Sequence, residues 1–154
     1  MTSNDTFANF GARAHVDAAD WREAIDVVGA LLVEGGACTP EYVTAMAAGV
    51  EEFGAYIVVA PGVAIPHARP ESGALIQGSA VITLSTPRDF GNPANDPVDT
   101  LIAFTAENKE SHLESLQTIA SLLGDDDAMA SVRSAETNEE LMAALQLAKN
   151  GDQS

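Results

Sequence analysis

A single α/β domain is the fold class this sequence predicts, on three observations. Apolar residues recur at helical spacing in several stretches, short β-branched runs lie between them, and 154 residues suit one hydrophobic core. Residues 1–18 lack periodicity and read as an irregular lead-in with a short strand at most. The first helix opens at Asp20, an N-cap with Glu23 three positions on. Its stripe is Trp21, Ile25, Val28 and Leu32, and Gly35-Gly36 stops it. Thr39-Pro40 starts a second helix, with the proline at the first helical position. Val43, Met46, Val50 and Phe53 give its stripe and Gly54 its end. Tyr56–Ala60 and Val63–Ile65 are β-branched runs separated by Pro61-Gly62, and both read as buried strands. Residues 70–78 form a loop, Ser79–Leu84 a strand, residues 86–97 a segment dense in turn formers, and Thr100–Phe104 a further strand. A third helix opens at Ser111, with Ser111 and Glu114 as capping box and Leu113, Leu116, Ala120 and Leu123 as buried face. Asp125–Asp127 begin a short helix reaching about Val132. Thr137 with Glu140 caps a last helix striped by Leu141, Leu145 and Ala148, and the tail from Lys149 is frayed.

The composition excludes several functions. Seven Lys and Arg against 23 Asp and Glu give a net charge of −16. Such a surface repels nucleic acid and anionic lipid, and no cationic cluster offsets it locally. Neither nucleic-acid binding nor direct membrane insertion is expected, since no apolar run approaches the roughly 20 residues of a membrane span. The first residues carry no basic segment and no apolar segment of a secretory signal. Cys38 is the sole cysteine, so no internal disulfide forms, and a cytoplasmic location is the simplest reading. Cys38 lies in a Gly-rich helix connection without a basic neighbour and reads as a small apolar residue.

Walker, dinucleotide-binding, nucleophile-elbow and zinc-protease motifs are all missing, which leaves the histidines as candidates. His67 follows an apolar strand and is flanked by Pro66 and Pro70, which fix φ on either side. Arg69, two residues on, is one of three cations between residues 23 and 132, with Arg88 and Lys109. A guanidinium beside a histidine in so acidic a chain points to an anion, because its forked donors match phosphate oxygens. His112 falls in the first turn of the third helix, where unpaired N–H groups favour phosphate. The bland alternatives are a structural or exposed His67, an ordinary first-turn His112, and an Arg69 paired with Glu71. His15 takes the bland reading, structural or merely exposed. A metal site of His67, His112 and Asp96 or Asp99 is the remaining alternative, and it lacks any tight ligand spacing.

The string Tyr42-Val43-x-Ala45-Met46, then Gly54-x-Tyr56-Ile57-Val58-x-Ala60-Pro61-Gly62-x-Ala64-x-Pro66-His67-Ala68-Arg69-Pro70-Glu71, resembles the EIIA component of the sugar phosphotransferase system (PTS). The likeness is to the type-2 mannitol/fructose superfamily, nearest its ascorbate-type branch. Asn95-Asp96-Pro97-Val98-Asp99 and Ser111-His112-Leu113-x-x-Leu116 match that branch too. The similarity covers residues 15–148, which divides the chain into a lead-in (1–14), the domain (15–148) and a frayed tail (149–154). It implies a mixed β-sheet flanked by helices, and a phosphocarrier that accepts phosphate from the phosphohistidine of HPr and hands it to a cysteine of EIIB. His67 matches the phospho-accepting histidine and His112 the second active-site histidine. Many mannitol- and fructose-type relatives carry an Arg-Glu pair where this chain has Gly49-Val50, and a small hydroxyl-bearing stretch where it has Tyr56-Ile57. Arg69 is the candidate substitute for the missing cation.

The expected chemistry is attack by a neutral His67 imidazole on a phosphoryl group, with Arg69, His112 and the helix end neutralising its oxygens. No nucleotide, other cofactor or metal is required, since the donor is already a phosphohistidine. EIIB and the EIIC membrane permease are expected on separate chains. The alternative is a regulatory EIIA-like phosphoprotein that signals phosphorylation state.

Overall fold

The two runs that are apolar on both faces, Val81-Ile82 and Leu101-Ile102, become the inner strands of a sheet. The computed structural model of the chain describes residues 10–53 and 56–152. Within them lie β1 (Phe10–Val16), α1 (Trp21–Glu34), α2 (Pro40–Phe53), β2 (Val58–Ala60), β3 (Val63–Ala64), β4 (Gly78–Arg88), β5 (Val98–Thr105), α3 (Lys109–Leu123), α4 (Asp126–Ser134) and α5 (Asn138–Asp152). The strand order is β1-β4-β5-β3-β2. β1 with β4 and β3 with β5 are parallel, while β4 with β5 and β2 with β3 are antiparallel. The sheet is therefore mixed and flanked by helices, as the resemblance implied.

Strand alternation divides the core in two. Ala80, Ile82, Leu101 and Ala103 face α1 and α2, packing on Ile25, Val28, Leu32, Met46 and Val50. Val81, Ile102 and Phe104 face α3–α5, packing on Ile119, Leu122, Val132, Leu141 and Leu145. Covering on both faces explains why these strands read as continuous apolar runs.

Several expectations need correction. β1 occupies residues read mostly as lead-in, because it pairs in parallel with β4 along Phe10–Val16. β4 runs to Arg88, past the expected end at Leu84, and β2 begins at Val58. In α2 the buried residues are Tyr42, Met46, Ala47 and Val50, while Phe53 is 68% exposed, since the last turn borders an open cleft. The largest shift is in α3. Asn108 is its N-cap, accepting from the Ser111 N–H at 2.9 Å, while the Ser111 hydroxyl accepts from the Asn108 N–H at 3.2 Å. The capping box is thus Asn108–Ser111, and the buried face is Ser111, Ser115, Ile119 and Leu122. Leu113 is 57% exposed and Ala120 is also exposed, with Leu116 and Leu123 only partly buried. Counting apolar residues misses this face because its first two members are serines, whose hydroxyls are satisfied by the cap and by the Gln77 amide at 3.2 Å.

Other caps follow the sequence. The Asp20 carboxylate accepts from the Glu23 N–H at 2.9 Å, and the Thr137 hydroxyl from the Glu140 N–H at 3.1 Å. α5 continues to Asp152, into the stretch read as a frayed tail. Gly54, the lead-in up to residue 9 and the side chain of Ala148 lie outside the described residues.

Candidate functional site

Backbone pairing sets where His67 emerges. The Ile65 N–H donates to the Ile57 carbonyl at 2.8 Å, and the Pro66 carbonyl accepts from the Phe104 N–H at 3.3 Å. Pro66 has no N–H to continue the ladder, so the chain leaves the sheet here. His67 thus stands at the end of β3, level with the carboxy-terminal end of β5. Pro70 then opens a short 3-10 turn, Pro70–Ser72. The Gly73 carbonyl accepts from the Thr39 N–H at 2.9 Å, tying that turn to the α1–α2 connection.

Tyr42 locks the other side. Its hydroxyl accepts from the Ala68 N–H at 3.0 Å and lies 2.9 Å from the Phe104 carbonyl and 3.1 Å from the Ala68 carbonyl, donating to one of them. The side chain is fully buried, and desolvation pushes its pKa up to about 12. It stays a phenol at every working pH and joins α2, the His67 turn and β5 through one oxygen.

The His67 Nδ1 lies 2.8 Å from the Ile65 carbonyl. A carbonyl only accepts, so Nδ1 carries the proton, and Nε2 of the neutral ring keeps its lone pair. The ring stacks on Phe104 at 5.0 Å and 21°, and meets His112 at 5.3 Å and 66°. Burial is the main cause that holds the His67 pKa below the ordinary 6.5. The Ile65 hydrogen bond opposes the shift and the His112 charge adds to it. A neutral nucleophile at neutral pH is the consequence.

Both histidines open on a cleft of about 950 Å³ that Arg69 and Lys109 also line, with Glu52, Glu71 and Glu107 on its walls. Of the other cations, Arg22, Arg88 and Arg133 are engaged. Arg22 pairs with Glu51 at 2.7 Å, Arg133 with Asp99 at 3.3 Å, and Arg88 donates to the Ala18 carbonyl at 2.7 Å. Among the described residues, neither Arg69 nor Lys109 has a carboxylate within ion-pair distance. His112 occupies the first turn of α3, whose N-cap Asn108 lines the same cleft.

The structure therefore brings His67, His112 and Arg69 to one cleft. It disperses the metal alternative. Asp96 is spent accepting from the N–H groups of Phe90, Gly91 and Asn92 at 2.8–2.9 Å, and Asp99 binds Arg133 and the Thr100 hydroxyl. Among the described residues no three His, Cys, Asp or Glu side chains are grouped to hold a metal ion. His15 lies on β1 and does not line the cleft. Cys38 is buried in the α1–α2 core, its thiol pushed up to about 11 by desolvation.

Sequence reasoning missed three contributors: Tyr42, Lys109 and the pair Gly49–Tyr56. The Tyr56 ring stands edge-on to His67 at 6.1 Å and 76°, and to Phe53 at 6.2 Å and 88°. A Cβ on Gly49 would lie 3.0 Å from the Tyr56 hydroxyl. The two departures noted in the sequence are thus one feature, a tyrosine seated over a helix glycine. The available signal was a glycine inside a helical pattern, which costs about 1 kcal/mol against alanine unless packing requires it.

The family model for the phosphoenolpyruvate-dependent sugar phosphotransferase system, EIIA 2, matches residues 12–147. This chain belongs to that family. The ascorbate-specific PTS system EIIA component of Escherichia coli (strain K12) is 37% identical over 144 residues, spanning 92% of this chain and 94% of its own. The mannitol-specific cryptic phosphotransferase enzyme IIA CmtB of Escherichia coli superposes with a TM-score of 0.83 at 30% identity, covering 96% and 99% of the two chains. An Escherichia coli enzyme IIA(MTL), solved in complex with phosphorylated enzyme IIB(MTL), shares the fold with a TM-score of 0.73 at 24% identity, covering 95% and 96%. The chain is accordingly an EIIA phosphotransferase component. Among the described residues no helix is long and apolar enough to cross a membrane.

Proposed function

We propose that this EIIA protein is a cytoplasmic phosphocarrier of an ascorbate-type sugar PTS, with His67 as its phosphoryl acceptor. The observation that carries the reading is the Nδ1 contact to the Ile65 carbonyl, which leaves the Nε2 lone pair of a half-buried imidazole available at the cleft. In the first step Nε2 bonds to the phosphorus of phospho-HPr. The donor P–N bond breaks and its electron pair returns to the donor imidazole. In the second step a cysteine thiolate of EIIB forms the P–S bond, and the pair of the His67 P–N bond returns to Nε2. EIIB then serves the EIIC permease.

Little covalent help is needed for such transfers, and most of the rate comes from alignment and charge neutralisation. Arg69 and Lys109 supply the charge, while His112 and the α3 amino-terminus supply donors. Exposed Phe53 and Tyr56, which line the cleft, offer apolar contact area to a docked partner. The relatives' names favour ascorbate as the transported substrate, and the enzyme IIA(MTL) complex favours EIIB as acceptor.

The test is intact mass after incubation with phosphoenolpyruvate, enzyme I and HPr. The wild type gains one acid-labile, alkali-stable phosphoryl group and His67→Ala gains none. Equal labelling of both proteins would overturn the assignment.

A further inference from the structure

Two local choices in this chain are each unfavourable alone. Gly49 weakens the interior of α2. Tyr56 is an aromatic left 47% exposed that joins neither hydrophobic cluster of the core. They make sense together, because the bare Cα of Gly49 is what lets the Tyr56 hydroxyl settle against α2 while its ring stands edge-on to His67.

We propose that Tyr56, seated in the space left by Gly49, is a positioning residue for phosphoryl transfer that holds the His67 ring in its reactive orientation. The hydrogen bond to Ile65 fixes one nitrogen, and Phe104 supports one face of the ring. Neither stops the imidazole from tipping outward into the cleft. Tyr56 and His112 approach it edgewise at 76° and 66° and close that freedom. The phenol makes no hydrogen bond among the described residues, so the ring rather than the hydroxyl does the holding. Tyr56 also keeps water off the imidazole, in accord with the lowered His67 pKa.

This inference rests on His67 being the phosphoryl acceptor, so the experiment reads both. Single-turnover transfer from phospho-HPr is measured on wild type, Tyr56→Ala, Tyr56→Phe, Gly49→Ala and the double variant Gly49→Ala/Tyr56→Ala, with intact mass as the label count. Tyr56→Ala should slow transfer roughly 10–100-fold, since small misplacements of a reacting group cost that much. Tyr56→Phe should stay within about 2-fold, because it keeps the ring. Gly49→Ala should raise the melting temperature through helix propensity yet slow transfer roughly 3–10-fold by displacing the phenol, and that loss should vanish in the Tyr56→Ala background. Nitrogen-15 spectra of His67 should show a single Nδ1–H tautomer in wild type and a mixture in Tyr56→Ala. Wild-type transfer by folded Tyr56→Ala, or a Gly49→Ala loss that persists without Tyr56, overturns the proposal. If the wild type itself gains no label on His67, the reading beneath it fails instead.

Discussion

At the amino-terminal end of β5 the charged groups are paired off, and at its carboxy-terminal end they are not. The first end holds Asp96, whose carboxylate accepts three backbone N–H groups, and Asp99, which meets Arg133 and the Thr100 hydroxyl. Arg133 also donates to the Pro61 carbonyl at 2.7 Å, over Gly62, whose φ of 78° no side chain adopts readily. A Cβ there would lie 2.7 Å from the guanidinium. The other end holds two imidazoles in edge contact and two cations that, among the described residues, have no carboxylate partner, on an open cleft. Satisfied groups build structure. Groups left open in an acidic chain are available to an incoming anion, and that contrast supports the proposed phosphoryl site without reference to any relative.

Substitutions at the two ends should separate rate from stability. The largest effect on rate short of His67 itself is expected from Arg69→Ala. Losing a guanidinium that contacts the transferring oxygens should slow phosphoryl transfer roughly 10–1000-fold. The melting temperature should hardly move, because the side chain is exposed and makes no ion pair among the described residues. Rapid-quench kinetics with phospho-HPr measure the first effect, and unchanged kinetics would remove Arg69 from the site. Asp96→Ala should behave in the opposite way. Three N–H groups of a partly buried turn lose their acceptor, so stability should fall by about 1–3 kcal/mol in urea unfolding. Transfer by the folded fraction should remain near the wild-type rate. A transfer defect matching the Arg69 variant would show that the two ends are coupled and would break the comparison.

The same contrast explains what the sequence could and could not tell. Helices α1, α2, α4 and α5 were legible from caps and apolar spacing, and the inner strands from β-branched runs. The His67 turn was legible because prolines bracket it. The α3 face was not, because its interior begins with Ser111 and Ser115, polar residues whose burial depends on partners distant in sequence such as Gln77. β1 was obscured because its register comes from parallel pairing with β4, a contact that leaves no local signal. Tyr42 stands in the sequence reading only within the string that carries the resemblance, and only tertiary structure shows its hydroxyl shared between the Ala68 N–H and the end of β5. Lys109 enters the sequence reading only as one of three cations between residues 23 and 132. The fold shows it at the first position of α3, where the helix dipole disfavours a cation and a nearby anion would offset that cost.

His112→Ala gives the smallest and most discriminating effect. The variant should still accept a phosphoryl group from phospho-HPr but pass it on more slowly, having lost one donor to the phosphoryl oxygens. It should also move the His67 pKa upward. The charge of His112 is one cause that lowers it, and removing the ring admits water to the imidazole, which relieves the larger cause, burial. The sign has two consequences. With the wild-type pKa depressed, the folded protein binds fewer protons at His67 than the unfolded chain just below the ordinary value of 6.5. Stability should therefore be fully present above 6.5 and decline as the pH falls through that value towards the folded pKa. In the variant the gap narrows, so this acid-side loss should shrink, while the acidic limb of the phosphoryl-acceptance rate should move to higher pH. Titration of the His67 ring by NMR, with urea melts at several pH values, checks both. A His67 pKa unmoved or lowered by the substitution would mean that the two rings do not share one electrostatic site.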